Sequence, residues 1–401
     1  MFRIFFYFLF FLFAVLQSTF SQNDDGIKLI NKNSIYKVGD KINLEFSSVS
    51  KKNLQLYVSN SYGSSVLKPI VSDNTYKFIV PEYLSNIRGI LNWKLVGGKN
   101  IKNGKITINP QDKPTLMETY LGPPSIISGG KDFSMLVIIP TDSLDNPLKD
   151  STTVFIKTQF LKSENIVLEK TENLFAYKNI FSPNKSGRMI ISSEAKGLNS
   201  NEFDVNIRPN NALNFTINYE RNHDYADGNQ IITFTTSVIK DKFDNIVSDG
   251  TYVLFYIKNK EGNIIRTSGS TINGIAKGIL VHPEKKEEWQ IKAYIIGFSE
   301  SNILKVSFKQ VMREINVVFD NNNRTLKVGP LKSFFNQMIP DGLRVKLTIK
   351  KDNIQLNEIV KTSKSGYVTF MLDENLYPNG NYDVIISSAG ISKSFELLKL
   401  W

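Results

Sequence analysis

Two histidines, at positions 223 and 282, are the only imidazoles in the chain, and cysteine is absent. His223 stands in Arg221-Asn222-His223-Asp224-Tyr225, and His282 in Val281-His282-Pro283. A hydrolytic triad needs a base, an orienting acid and a nucleophile in contact, and neither histidine is accompanied by a G-x-S-x-G elbow. Each reads as a surface-loop residue, with His223 beside Asp224 the better candidate for chemistry. Paired carboxylates can hydrolyse glycosides without histidine. Here the acids gather in turns beside Asn and Gly, where a carboxylate caps backbone donors. No Gly-rich phosphate loop, H-E-x-x-H or EF-hand spacing occurs. The residues predict a protein that is not an enzyme and needs no cofactor.

One polar constellation occurs twice. Asp142, Asp145, Asn146 and Asp150 match Asp241, Asp244, Asn245 and Asp249 at a constant offset of 99. Three carboxylates and an amide oxygen are hard ligands of the kind calcium takes. The same residues suit a hairpin turn, because Asp and Asn tolerate left-handed backbone. Turn chemistry is the expectation and calcium the alternative; no metal ligands are assigned. A different signal lies in residues 328–340, where apolar side chains gather between Pro330 and Pro340 without strand alternation. Two readings are open: the segment plugs a core, or Leu331, Phe334, Phe335 and Met338 meet a partner, as anchoring aromatics do.

The elements that must position these residues are strands. Lys41 to Phe46 places Ile42, Leu44 and Phe46 on one face, and Arg344 to Ile349 places Val345, Leu347 and Ile349 likewise. Thr251 to Ile257 is a fuller apolar run, as a central strand would be. Such runs, broken by Gly, Asn, Asp and Pro and without helices between them, predict antiparallel sandwiches. With 401 residues and roughly 100 per sandwich, about four are expected. The 41% hydrophobic and 22% charged composition is that of a globular protein. At the start, Arg3, the apolar run Ile4 to Leu16 and Thr19-Phe20-Ser21 have the order of a signal peptide, so residues 1–21 are expected to be removed on export. No later segment is long and apolar enough to span a membrane. The formal charge of +11 comes from lysines scattered through the strands, which argues against a nucleic-acid footprint and for protected sheet edges.

The offset of 99 extends beyond the turn. Gly129 meets Gly228, and Gly197-Leu198-Asn199-Ser200 meets Gly297-Phe298-Ser299-Glu300 after one further residue. This is a tandem duplication. Thr362-Ser363-Lys364-Ser365-Gly366 is a looser copy of Thr271-Ile272-Asn273-Gly274, taken with one residue added. The opening segment shows no clear copy. The expected domains are 22–110, 111–209, 210–309 and 310–401, joined so closely that they should follow one another as a stiff string.

These residues resemble the immunoglobulin-like repeats of the invasin and intimin type. Asp227-Gly228-Asn229-Gln230-Ile231-Ile232-Thr233-Phe234 matches the opening of such repeats, Asp241 to Val247 their turn, and Thr271 to Ala276 a strand entry. In the second domain Leu174 stands where the repeat has glycine. Macroglobulin-type sandwiches share some of the turn pattern. Invasin-type proteins also carry a membrane β-barrel and a lectin-like head, which no segment of this sequence matches. The resemblance therefore implies tandem immunoglobulin-like sandwiches used as spacer and contact surfaces. The expectation is a non-enzymatic structural or protein-interaction protein of the cell envelope, periplasmic or associated with the outer membrane. Its partner is expected to be a protein, with outer-membrane proteins among the candidates. Two alternatives stand beside it: a plug-like periplasmic subunit of an outer-membrane secretion machine, and a released adhesin or polysaccharide-binding protein.

Overall fold

A computed structural model describes residues 26–49, 53–98, 100–334 and 336–401. Residues 1–21, read above as a signal peptide, and Phe335 lie outside the described residues. By compactness the chain divides into two units. The described residues up to Ile126 with Lys131–Ser182 and Gly187–Asn206 form the first. Ile127–Gly130, Pro183–Ser186 and Ile207–Trp401 form the second.

The first unit holds two sandwiches. In the first, one sheet runs Ile27–Leu29, Asn43–Ser48, Thr75–Ile79, Ile70–Ser72. The other runs Ile35–Lys37, Lys102–Asn109, Gly89–Val96, Gln55–Ser59, Ser64–Leu67. Every second residue of Asn43–Ser48 is buried, so Leu44 and Phe46 face Leu56, Val58, Leu91 and Trp93 across the core. The Phe46 ring meets Trp93 edge-on at 5.6 Å and Phe78 at 5.9 Å, a geometry that favours aromatic pairs. The second sandwich stacks Leu116–Gly122, Phe133–Thr141 and Ala176–Phe181 against a sheet ordered Ser125–Ile127, Phe203–Arg208, Gly187–Ala195, Thr153–Phe160, Ser163–Lys170.

The second unit repeats the plan. Its first sandwich pairs Ile217–Arg221, Ile231–Thr236 and Lys277–Val281. The facing sheet is ordered Tyr225–Ala226, Leu304–Gln310, Glu287–Ile295, Tyr252–Asn259, Ile264–Ser270. Tyr252–Asn259 is hydrogen-bonded on both sides, as its apolar run predicts. The last sandwich packs Val317–Asp320, Thr325–Val328 and Val368–Met371 over a sheet ordered Ile354–Thr362, Arg344–Lys351, Gly380–Ser388, Ile391–Leu400. A buried Arg324 donates from Nε to the carbonyl of Trp401 at 2.6 Å. Its other nitrogens reach the Tyr377 carbonyl at 3.0 Å and Asn379 Oδ1 at 2.7 Å. With Glu374 Oε1 3.5 Å from Nε, backbone carbonyls, an amide and a carboxylate together satisfy a buried cation whose fork geometry suits several acceptors.

The one helix among the described residues is Glu82–Ser85, of four residues. None is long and apolar enough to cross a membrane. The chain is all-β, in tandem antiparallel sandwiches of the immunoglobulin-like kind.

Candidate functional site: the turns at the sandwich junctions

The repeated acid–amide turn follows Phe133–Thr141 in the second sandwich and Ile231–Thr236 in the third, and is built the same way in both. Asp142 N–H donates to the Asn146 carbonyl at 2.9 Å, and Asp145, with φ of 63°, donates to the Asp142 carbonyl at 3.1 Å. Asp241, Asn245 and Asp244 repeat those distances and that φ. Asp142 Oδ1 accepts from the backbone of Leu144 at 2.9 Å and of Asn146 at 3.0 Å, and Oδ2 from Gln111 N–H at 2.9 Å. Asp241 Oδ1 likewise accepts from Phe243 and Asn245, and Oδ2 from Asn210 N–H at 2.7 Å. Burial pushes the Asp241 carboxyl up, but donors from Asn245, Asn210 and Phe243 outweigh it and leave the group below its ordinary range.

The amide of each turn reaches back to a loop earlier in the chain. Asn146 Nδ2 donates to the Asn86 carbonyl at 2.9 Å, while its Oδ1 accepts from Arg88 N–H at 2.8 Å. Arg88 closes the clasp by donating to the carbonyls of Pro147 and Leu148, both at 2.7 Å. Within the second unit, Asn245 Nδ2 donates to the Asn184 carbonyl at 2.8 Å and Oδ1 accepts from Ser186 N–H at 2.9 Å. Asp142, Asn146, Asp241 and Asn245 are all buried, so these bonds lie where an unmade partner is costly. Asp150 and Asp249 act elsewhere. Each accepts from a backbone N–H 24 residues on, Leu174 at 2.9 Å and Asn273 at 2.7 Å. The motif's carboxylates therefore part company, and among the described residues no three acids or histidines gather as a metal-holding group. Chemically the arrangement can align and hold two sandwiches.

Residues 331–339 prove to be the same turn in the last sandwich. Ser333 N–H donates to the Gln337 carbonyl at 2.8 Å and Asn336, with φ of 60°, to the Ser333 carbonyl at 2.9 Å. Leu331 takes the place of Ile239 and Ile339 that of Val247, all buried. Of the four residues read as a partner contact, Leu331 thus lies fully inside the core, because the turn's flanking residues point inward. Phe334 is 37% exposed beneath the Arg313 guanidinium at 4.8 Å, and Met338 is 44% exposed against Gly366. Phe335 is not described. The acid and amide of the earlier turns are Ser333 and Gln337 here, and Ser333 Oγ has no partner among the described residues. The hairpin alignment also needs correcting. Ser363, not Thr362, occupies the place of Thr271, since its Oγ accepts from Leu343 N–H at 3.1 Å as Thr271 Oγ1 accepts from Thr251 at 3.0 Å. No residue is added.

Sequence reading missed the receiving loop. Its signal is N-x-x-G before a strand: Asn86-Ile87-Arg88-Gly89 and Asn184-Lys185-Ser186-Gly187. At the corresponding place the third sandwich has Glu284-Lys285-Lys286-Glu287. Loop and turn thus change together: where the asparagine loop is lost, the next turn has lost its Asp and Asn. An Arg344–Glu284 ion pair at 2.6 Å and an Asn229 Nδ2 bond to the Asp341 carbonyl at 2.9 Å join the last two sandwiches instead.

The two histidines meet. His282 is buried, not on a surface loop, and donates through Nδ1 to the Tyr225 carbonyl at 2.9 Å. His223 Nδ1 accepts from Tyr225 N–H at 3.2 Å, and its Nε2 lies 3.3 Å from Asp227 Oδ2. The rings stand edge-to-face at 5.3 Å. Asp227 Oδ1 is already taken by the N–H groups of Asn229 and Gln230, both at 3.1 Å. The cluster therefore pins a turn, and among the described residues no serine or threonine hydroxyl is bonded to either imidazole.

No protein-family model and no curated protein matches the chain. Among solved structures it is similar to invasin, described as a bacterial integrin-binding protein, at 12% identity over 94% of this chain and 78% of that one, with a TM-score of 0.46. It is similar to the Escherichia coli adhesin FdeC at 11% identity, over 71% of this chain and 96% of that one, with a TM-score of 0.46. InvD of Yersinia pseudotuberculosis gives 12% identity over 84% and 97%, with a TM-score of 0.43. The fold itself stands on the sheet pairing and burial already described, and invasin is the protein whose repeats the turn and strand-entry motifs resemble.

Proposed function

We propose that this is an exported, non-enzymatic structural and protein-interaction protein of the cell envelope. One observation carries the reading: the chain's recurrent polar constellation is consumed in holding sandwiches together. Asp142, Asn146, Asp241 and Asn245 spend their oxygens and amide hydrogens on backbone partners, leaving none directed at a substrate. Arg3 and the Ile4 to Leu16 run support export. Within each unit, turns clasped to loops leave sheet faces exposed, which suits bridging or presenting contacts.

The test is cell fractionation of the tagged chain, followed by capture from detergent-solubilised envelopes with mass spectrometry and reciprocal capture from each partner found. Recovery in the envelope with a reciprocal protein partner is the expected result. A partner drawn from an outer-membrane secretion machine would specify it as an accessory subunit. Cytoplasmic recovery would overturn the reading.

A further inference from the structure

The outward face of one sheet in the third sandwich carries residues that folding does not require. Register fixes who stands beside whom. Tyr256 is flanked by Arg266 on one side and Lys292 on the other. Two residues along, Lys258 is flanked by Ile264 and Gln290, and Gln290 in turn by Lys305. Tyr294 completes the face and meets Tyr256 edge-on at 5.5 Å. A shallow trough of about 540 Å³ runs along Tyr256, Lys258, Gln290, Lys292 and Tyr294, bounded by exposed Ile264, Ile296 and Ile303.

The duplicated second sandwich supplies an internal control. It has the same strands and pairing, so it shows what the fold alone demands. There Tyr256 is replaced by Lys157, flanked by Ile166 and Ser192, and Tyr294 by Glu194. Lys157 and Glu194 neutralise each other at 2.5 Å. In the third sandwich that pair has become two tyrosines, and cations have entered at Lys258, Arg266 and Lys292. Lys292 pairs with Glu300 at 2.8 Å. Lys258, Arg266 and Lys305 form no ion pair with any described residue, and the Arg266 guanidinium lies 5.1 Å over the Tyr256 ring.

From this juxtaposition we infer that the Tyr256–Tyr294 face binds an acidic polysaccharide, a polymer carrying carboxylates. Sugar rings offer C–H faces that pack on aromatic side chains, and their carboxylates seek cations. Sheet spacing alternates the two at intervals of about 5 Å across the strands, which suits an extended ribbon more than a side-chain anchor. A protein partner would call for a deep, desolvated pocket to seat a hot spot, and this trough is open along its length. Gln290 adds donors and an acceptor for hydroxyl groups. Such binding lies beyond the envelope-partner role and does not depend on that partner.

The full chain is titrated calorimetrically with alginate oligosaccharides, with polyglutamate of matched charge, and with neutral dextran, in about 150 mM salt to screen diffuse attraction. Alginate binding is expected, weakened about tenfold or more by Tyr256→Ala with Tyr294→Ala and by Lys258→Gln with Arg266→Gln. The pair Lys350→Gln with Lys351→Gln, on the last sandwich, removes equal charge elsewhere and is expected to leave binding unchanged. Melting temperatures of all variants verify that the fold is intact; a variant that melts early is replaced by Tyr294→Thr, which removes the ring but suits a strand, or by Lys258→Met, read by the same titration. Polyglutamate binding equal to alginate, insensitivity to the tyrosine variants, or no alginate binding each overturns the proposal.

Discussion

At the scale of residues, His282 shows how burial turns an ordinary imidazole into a pH-dependent contribution to stability. Burial pushes its pKa below 6.5, with smaller contributions from the Tyr225 carbonyl and Asp227 in the opposite direction and from His223 and Arg221 in the same direction. A base whose folded pKa is depressed costs nothing above the unfolded value. As pH falls through about 6.5 the unfolded chain takes up a proton that the folded one refuses, so stability falls until the depressed folded pKa is passed. Thermal melts from pH 7.5 to 5 should therefore decline, and His282→Leu should flatten that decline even though it lowers the melting temperature overall. An equal slope in the variant would remove His282 as the cause. Burial of this residue was legible: Gly278, Leu280 and His282 continue one period-2 face of Lys277–Val281, and Pro283 masked it as a loop. Leu331 and Phe334 divide in the same way. Leu331→Ala should cost about 2–5 kcal/mol as a core truncation, whereas half-exposed Phe334→Ala should stay within about 1 kcal/mol, losing chiefly the Arg313 contact. Equal losses in urea unfolding would contradict the placement of Phe334.

At the scale of elements, the clasp is a pairing of a turn with a loop, joined through the buried amide of Asn146 to part-buried backbone groups. Asn146→Leu would orphan Arg88 N–H and the Asn86 carbonyl, each at about 1–3 kcal/mol if water cannot reach it. The expected result is amide exchange at Arg88 faster by about tenfold or more, together with protease cleavage between Pro110 and Thr115. Unchanged exchange would mean that packing alone holds the junction. Half of this clasp was readable and half was not. Asp142 and Asn146 announce a turn by their own types, because acid and amide oxygens satisfy local backbone donors. The loop that receives them lies about 60 residues away, and its bonds are made by backbone groups that every sequence possesses. The hairpin at Leu174 gives a second test. Leu174 has φ of 85°, where Gly274 has 76° and Gly366 has 75°. Left-handed backbone costs a side-chain-bearing residue about 1–2 kcal/mol, partly offset by the entropy glycine loses on folding. Leu174→Gly should therefore raise stability by up to about 1 kcal/mol, and a loss would show that Leu174 is held by packing.

At the scale of the whole molecule, the all-β class was plain from alternation, and the duplication of the second and third segments from the offset of 99. The third copy of the turn, in the last sandwich, was hidden because its defining acid and amide are gone. Only the hydrogen-bond pattern of Ser333, Asn336 and Gln337 identifies it. The distribution of clasp halves reads as a grammar for growth. The first sandwich offers only the receiving loop, the second carries both turn and loop, and the third carries only the turn. Segment 111–209 is thus a self-compatible link with one cohesive end of each kind, while Glu284 to Glu287 with Ser333 and Gln337 make a junction of another kind. A further copy of residues 111–209 inserted after Pro209 should melt with the parent chain and resist proteolysis at its new junction. The same copy inserted after Lys309 meets a loop without its asparagine and should be cut there. In a chain without cysteine to staple its parts, length is then written in asparagines: a sandwich that carries both turn and loop can be copied next to itself.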